Sequence, residues 1–173
     1  MGCDMTDGGL ASAKEAAMRY QGDMADNNLA AAKEAAMRYL GYRMRTRREM
    51  EKYLQKKGFD DSAISGAISM LTEYKYIDDL AFARQYIASC LRFNKWGMKK
   101  IKYELSLKGV SPDISDAAAA DADYPAGEMI LNLAEKKLKR PAEGLDAAER
   151  KKLFTYLLNR GFSYDEIYSA LTF

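Results

Sequence analysis

Histidine is absent from the 173 residues, which removes the commonest general base and the commonest metal ligand together. The chain has only two cysteines, Cys3 in a polar tail and Cys90 on an apolar helical face. They imply neither a disulfide framework nor a zinc ligand set. Proline occurs three times, so little interrupts helices. No apolar run approaches the roughly 20 residues needed to span a bilayer. Asp4 and Asp7 stand where a secretory signal would carry a basic region and an apolar core, so the chain is expected in the cytosol. A P-loop GxxxxGK[ST] run and a GxGxxG run are both missing. These absences point away from enzymes, metalloproteins and membrane proteins, and no cofactor is expected.

What remains is a chain with 48% hydrophobic and 30% charged residues, the composition of a folded protein. Its signals are helical. Capping-box spacing occurs at Thr46–Glu49, Asp146–Glu149 and Ser163–Glu166. Ser111-Pro112 sets a capping hydroxyl before a first-turn proline. Asp78 can cap a further helix, with Ile77 and Phe82 spaced as a hydrophobic staple; capping also accounts for Asp78-Asp79 better than a metal pair does.

One pattern, Leu-x-x-basic-Gly-apolar, occurs three times: at Leu54 to Phe59, Leu105 to Val110 and Leu157 to Phe162. Its glycines, Gly58, Gly109 and Gly161, are 51 and 52 residues apart, and each follows a basic last turn. A period near 50 marks a repeat protein, and each glycine reads as a left-handed helix stop. The expected fold is all-α: three tandem three-helix repeats at residues 29–77, 78–123 and 124–173, behind an N-terminal extension at 1–28. The helices are expected at 28–44, 47–57 and 63–74; at 79–93, 97–108 and 112–122; and at 125–139, 147–159 and 164 to the end. Units this small gain stability by stacking on a neighbour. Within the extension, Ala13–Tyr20 recurs letter for letter as Ala32–Tyr39. The first copy is a duplicated segment that forms either a helix with no evident dock or a disordered extension.

The formal charge of +2 hides a strong segregation. Residues 43–57, 92–108 and 136–160 each carry a local balance of +5, and the remainder of the chain is acidic. Each block covers the middle helix of a repeat, an arrangement suited to a polyanion or an acidic protein groove. The candidate binding residues are Arg43, Arg45, Arg47, Arg48 and Lys52; Arg92, Lys95, Trp96, Lys99, Lys100 and Lys102; and Lys151 and Lys152. A solvated helix face is the competing explanation for all of them. Lys56, Lys57, Lys108 and Arg160 simply complement helix C-termini, whereas Arg43, Arg45, Arg47 and Arg48 oppose the dipole of the helix they precede. Trp96 is either a stacking group or a core residue.

Tyr76-Ile-Asp78-Asp79-Leu-Ala-Phe82-Ala-Arg84, then Gly97 and Glu104-Leu-Ser-Leu-Lys-Gly109-Val110, resembles the signature of the RecX family. Arg45 to Met50 ahead of Lys57-Gly58-Phe59 is similar to that family's first motif, and Arg160 to Ile167 to its last. The resemblance covers about residues 29–173 and leaves the alanine-rich 116–123 stretch and the duplicated tail unaligned. It implies an elongated, curved rod that binds RecA–DNA filaments as a monomer, restrains ATP hydrolysis and strand exchange, and tunes recombination, repair and the SOS response. Single-stranded DNA, or the phosphate backbone within the filament, would then be a partner. A helical nucleic-acid-binding protein independent of RecA, and an α-repeat scaffold for acidic proteins, are the other classes open to such a chain.

Overall fold

The computed structural model describes residues 26–142 and 144–171, and every regular element among them is helical. In chain order these are α1 (26–40), α2 (Arg47–Lys56), α3 (Asp61–Glu73), α4 (Asp79–Ser89), a π-helical turn (Cys90–Asn94), α5 (Met98–Leu107), α6 (Pro112–Ala120), α7 (Ala126–Leu138), α8 (Ala147–Asn159) and α9 (Tyr164–Leu171). Among the described residues, those from 26 to Ile77 form one compact unit and those from Asp78 a second. The expected extension at 1–28 lies almost wholly outside the described residues.

The caps form where the side chains predict them. Thr46 accepts from Glu49 N–H, Asp78 from Leu80 and Ala81 N–H, and Ser111 from Ile114 N–H. Asp146 and Glu149 complete a reciprocal capping box, and Ser163 and Glu166 form another. Ile77 lies in the core of the first unit and Phe82 in a core of the second.

The three-fold glycine motif is a Schellman stop each time. Gly58, Gly109 and Gly161 have φ of 86°, 86° and 91°. Their N–H groups bond Gln55, Ser106 and Leu158 O, and the following Phe59, Val110 and Phe162 N–H bond Leu54, Leu105 and Leu157 O. The motif's Leu is fully buried in all three cases. Thus one six-residue pattern both ends a helix and anchors it to a core.

The first core joins Ala32, Ala35 and Ala36 of α1 to Met50 and Leu54 of α2 and to Ala63, Ile64, Ala67, Ile68 and Leu71 of α3. In the second unit one core forms around Ala83, Ile87, Ile101 and Leu105, and another around Ile130, Leu153, Leu157, Phe162 and Ile167. Leu91 packs against both. It sits in the π-helical turn, a departure from the uninterrupted helix expected over 79–93. There the backbone widens, Lys95 takes a left-handed φ of 54°, and Asn94 O accepts from Arg160 Nη1 at 2.9 Å. Helix α1 also ends earlier than expected, at residue 40 rather than 44. A turn at Gly41 ends it, and after an irregular segment Thr46 takes the extended conformation of an N-cap.

Two glycines permit a close approach within the second unit. A Cβ on Gly97 would overlap the backbone of Gly161 and Phe162, and one on Gly161 would overlap Lys100. A Cβ on Gly58 meets nothing within 4 Å. Gly58→Ala is therefore expected to cost about 1 kcal/mol, the strain of a left-handed alanine alone. Gly161→Ala adds a backbone collision to that strain and should cost at least about 3 kcal/mol. Denaturant unfolding of both variants checks this; equal losses would contradict the close approach.

Candidate functional site

The candidate residues fall into two groups with different surroundings. In the first unit, a turn and an irregular segment lead from α1 into α2. The guanidinium of Arg45 lies 3.9 Å from the ring centre of Tyr39, which stacks on Tyr53 at 3.9 Å and 7°; Lys57 Nζ is 5.7 Å from the Tyr53 ring. Arg45 Nε is buried without a hydrogen-bond partner among the described residues. Stacking on Tyr39 is what compensates that charge.

Arg43 forms a two-pronged ion pair with Glu49 at 3.0 and 3.1 Å and also donates to Met44 O. Arg47 pairs with Glu51 one turn on, at 3.0 Å. Three of the four arginines that oppose the α2 dipole are thus engaged by neighbours. Acidic residues in the same helix offset two of the charges, and an aromatic ring carries a third. Arg48 and Lys52 are exposed and have no partner among the described residues.

In the second unit the basic groups collect where α8 ends and α5 begins. Gly97 N–H donates to Arg160 O at 2.9 Å, and Lys99 N–H to Gly161 O at 3.1 Å. Met98 N–H donates to the Tyr124 hydroxyl at 3.2 Å. Burial above all pushes the pKa of that hydroxyl up to about 12, and the Glu166 carboxylate acts in the same direction. The first donors of α5 are thus satisfied by the third helical domain, whose own terminal carbonyls are satisfied in return.

This junction gathers Lys95, Trp96, Lys99 and Lys100 around Arg160. Trp96 is half-buried against the core, with Lys100 Nζ 4.6 Å from its ring. Arg160 lies 5.2 Å from the Tyr156 ring, and Lys137 reaches the same ring at 5.3 Å. By sequence alone Arg160 is a dipole complement. Its bond to Asn94 O and its place on Tyr156 make it a structural member of the junction as well. Phe93, 71% exposed beneath Arg92, is a further aromatic group that no periodicity singles out.

Beside the junction lies a cavity of about 660 Å³, floored by Leu91, Met129 and Leu133 and rimmed by Arg92, Lys95 and Lys136. On its edge Arg84 pairs with Asp121 at 2.6 Å. Lys102 is directed away from this group into an ion pair with Asp116 at 2.7 Å. Lys151 and Lys152 are exposed near the start of α8 and border a shallow depression with Tyr156 and Asn159. Lys99 is exposed. Cys90 is buried, and burial pushes its thiol pKa up, which makes it a poor nucleophile. The arrangement offers cations and aromatic faces for binding.

Family profiles for the first, second and third three-helix domains of RecX match residues 32–71, 78–118 and 128–171. The chain belongs to the RecX family. It is 38% identical over 132 residues to a regulatory protein RecX of Prosthecochloris aestuarii, covering 76% of this chain and 85% of that one. To that of Bacillus licheniformis it is 34% identical over 133 residues, which is 76% of this chain but 51% of the longer relative. The crystal structure of RecX from Lactobacillus salivarius superimposes with a TM-score of 0.78 at 30% identity, covering 85% of this chain and 96% of that one. The fold is accordingly three tandem RecX three-helix domains, and about three quarters of the chain is similar to proteins named as regulators. No helix among the described residues is long and apolar enough to cross a membrane.

Arg45 and Arg48 separate a structural arginine from a surface one. Arg45→Ala is expected to destabilise the first unit by about 1–2 kcal/mol, because it removes a desolvated cation–π interaction. Arg48→Ala should change stability by less than about 0.5 kcal/mol. Thermal and denaturant unfolding of the two variants measures the difference; indistinguishable stabilities would remove the structural role assigned to Arg45.

Proposed function

We propose that this protein binds the RecA–DNA filament and inhibits its ATP hydrolysis and strand exchange, serving recombination, DNA repair and the SOS response without chemistry of its own. The observation that carries the reading is the cationic and aromatic cluster at the α5–α8 junction in a chain of the RecX family. Lys95, Lys99, Lys100 and Arg160 offer charge to phosphate groups or acidic side chains, and Trp96 and Phe93 offer faces for stacking. Arg43, Arg47, Arg48 and Lys52 add a second basic patch on the first unit. Lys151 and Lys152 extend the charge along α8, and Lys102 contributes where a ligand competes with Asp116. The protein acts as a monomer in the cytoplasm, within repeats bounded at 77/78 and 123/124.

A reading based on charge makes a salt-dependent prediction. Replacing Lys95, Lys99 and Lys100 with Ala should weaken binding to a RecA–DNA filament with little change in melting temperature. For every lysine–phosphate pairing removed, the slope of log K against log salt should fall by roughly 0.7–0.9. The companion variant in the first unit replaces Arg43, Arg47, Arg48 and Lys52 and retains Arg45, so that the aromatic stack survives. Filament affinity, affinity for naked single-stranded DNA and inhibition of RecA's DNA-dependent ATPase are compared for both. Equal affinity for naked DNA and filament would favour a nucleic-acid-binding protein independent of RecA. Unchanged inhibition by both variants would show the basic patches to be solvated faces only.

A further inference from the structure

The N-terminal 39 residues hold one 19-residue unit twice. At that offset residues 2–20 and 21–39 agree at 13 of 19 positions, including Leu10-Ala11 against Leu29-Ala30 and all of 13–20 against 32–39. The second copy is the one whose surroundings the structure describes. Ala32, Ala35 and Ala36 are at most 8% exposed and enter the first core, with Leu29 and Tyr39 packed at its edge. Leu29 lies over Gly66, where a Cβ would come within 2.8 Å of it. Tyr39 carries the stack between Arg45 and Tyr53. All five of these packing residues recur in the first copy, as Leu10, Ala13, Ala16, Ala17 and Tyr20.

We propose that the first copy is an alternative occupant of the groove on α2 and α3: residues 10–20 of the same chain exchange with 29–39 as the first helix of the first domain. The differences between the copies rank the two registers. Asn28 donates to the Asp60 carboxylate and Leu40 packs on the core, whereas the first copy has Gly9 and Gln21 at those places. Tyr39 precedes Arg45 by six positions and Tyr20 by 25, so the exchanged register also closes a longer loop. That entropy cost grows only with the logarithm of length. The second copy therefore dominates, and the first is a minor register on the order of 1%. In the minor register residues 21–44 become a tether ahead of α2, and Arg43 is no longer held near Glu49 by a short turn. The exchange thus changes how the basic patch of the first unit is presented in the molecules that adopt it.

The test uses full-length Ala36→Asp, Ala17→Asp and the double variant A17D/A36D. A charge at position 36 disables the dominant register, and one at position 17 disables the alternative. Ala17→Asp alone should leave the melting temperature of the first unit within about 2 °C of the parent, because the dominant register is untouched. Ala36→Asp should lower it by roughly 10–20 °C while helical signal persists, as the first copy takes over. The double variant should lose at least about 10 °C more, a non-additive loss that only a shared groove produces. Identical behaviour of A36D and A17D/A36D, whether both stay folded or both unfold, overturns the proposal. Rescue of A36D that vanishes on dilution, with elution as a dimer, would seat the segment of a second copy in the groove and would overturn the exchange within one chain.

Discussion

The second unit depends on one backbone meeting, that of Gly97 with Gly161. Helix ends are costly because their terminal N–H and C=O groups lack intrahelical partners. Here the free donors of α5 and the free acceptors of α8 satisfy one another directly, at 2.9 and 3.1 Å. Two backbones come this close only when neither carries a Cβ at the crossing. The Tyr124 hydroxyl takes the intervening donor, Met98 N–H, while Glu166 caps α9. The ends of α5 and α8 are therefore coupled through a handful of polar atoms. The basic side chains on α5 and α8 inherit their relative placement from that coupling.

The helical ladder is legible in the sequence because its signals are local. Caps, a first-turn proline and left-handed glycines act within four or five residues, and the structure realises each of them close to where its chemistry requires. Less legible are features that depend on a distant partner. Gly97 follows Trp96 in what reads as a loop, and nothing nearby reveals that Gly161 lies across from it. Gly161 looks equivalent to Gly58, yet one faces a neighbouring backbone and the other open space. The π-helical turn at Cys90–Asn94 arises where Leu91 serves two cores and Asn94 meets Arg160, 66 residues along the chain. Three lysines, Lys75, Lys95 and Lys139, take left-handed conformations that propensity would assign to glycine.

The basic blocks are legible as charge but only partly as a site. Counting cations finds the blocks; it does not find their partners. Glu49 and Glu51, which subtract little from the local balance, engage Arg43 and Arg47. Exposed ion pairs of this kind are worth about 0–1 kcal/mol each, so a polyanion can compete for both arginines. Arg45 differs in kind. Its guanidinium closes an aromatic stack, and removing it would strip cover from Tyr39 and Tyr53 rather than merely subtract a charge.

The junction also explains how cations can crowd the start of a helix. The N-terminus of α5 carries the positive end of its dipole, which would ordinarily disfavour Lys99 and Lys100 there. The C-terminus of α8 presents the negative end of another dipole at the same point, and the two partial charges offset each other. Lys99 and Lys100 are spared the repulsion, while Arg160 gains from its own helix end and from Asn94 O. What remains outside the junction is the full charge of the side chains. The charged head of Lys100 lies over Trp96 and that of Arg160 over Tyr156, so aromatic faces hold both cations in place. Among the described residues such a cluster holds its cations in position without acidic partners, and an external anion can supply the countercharge.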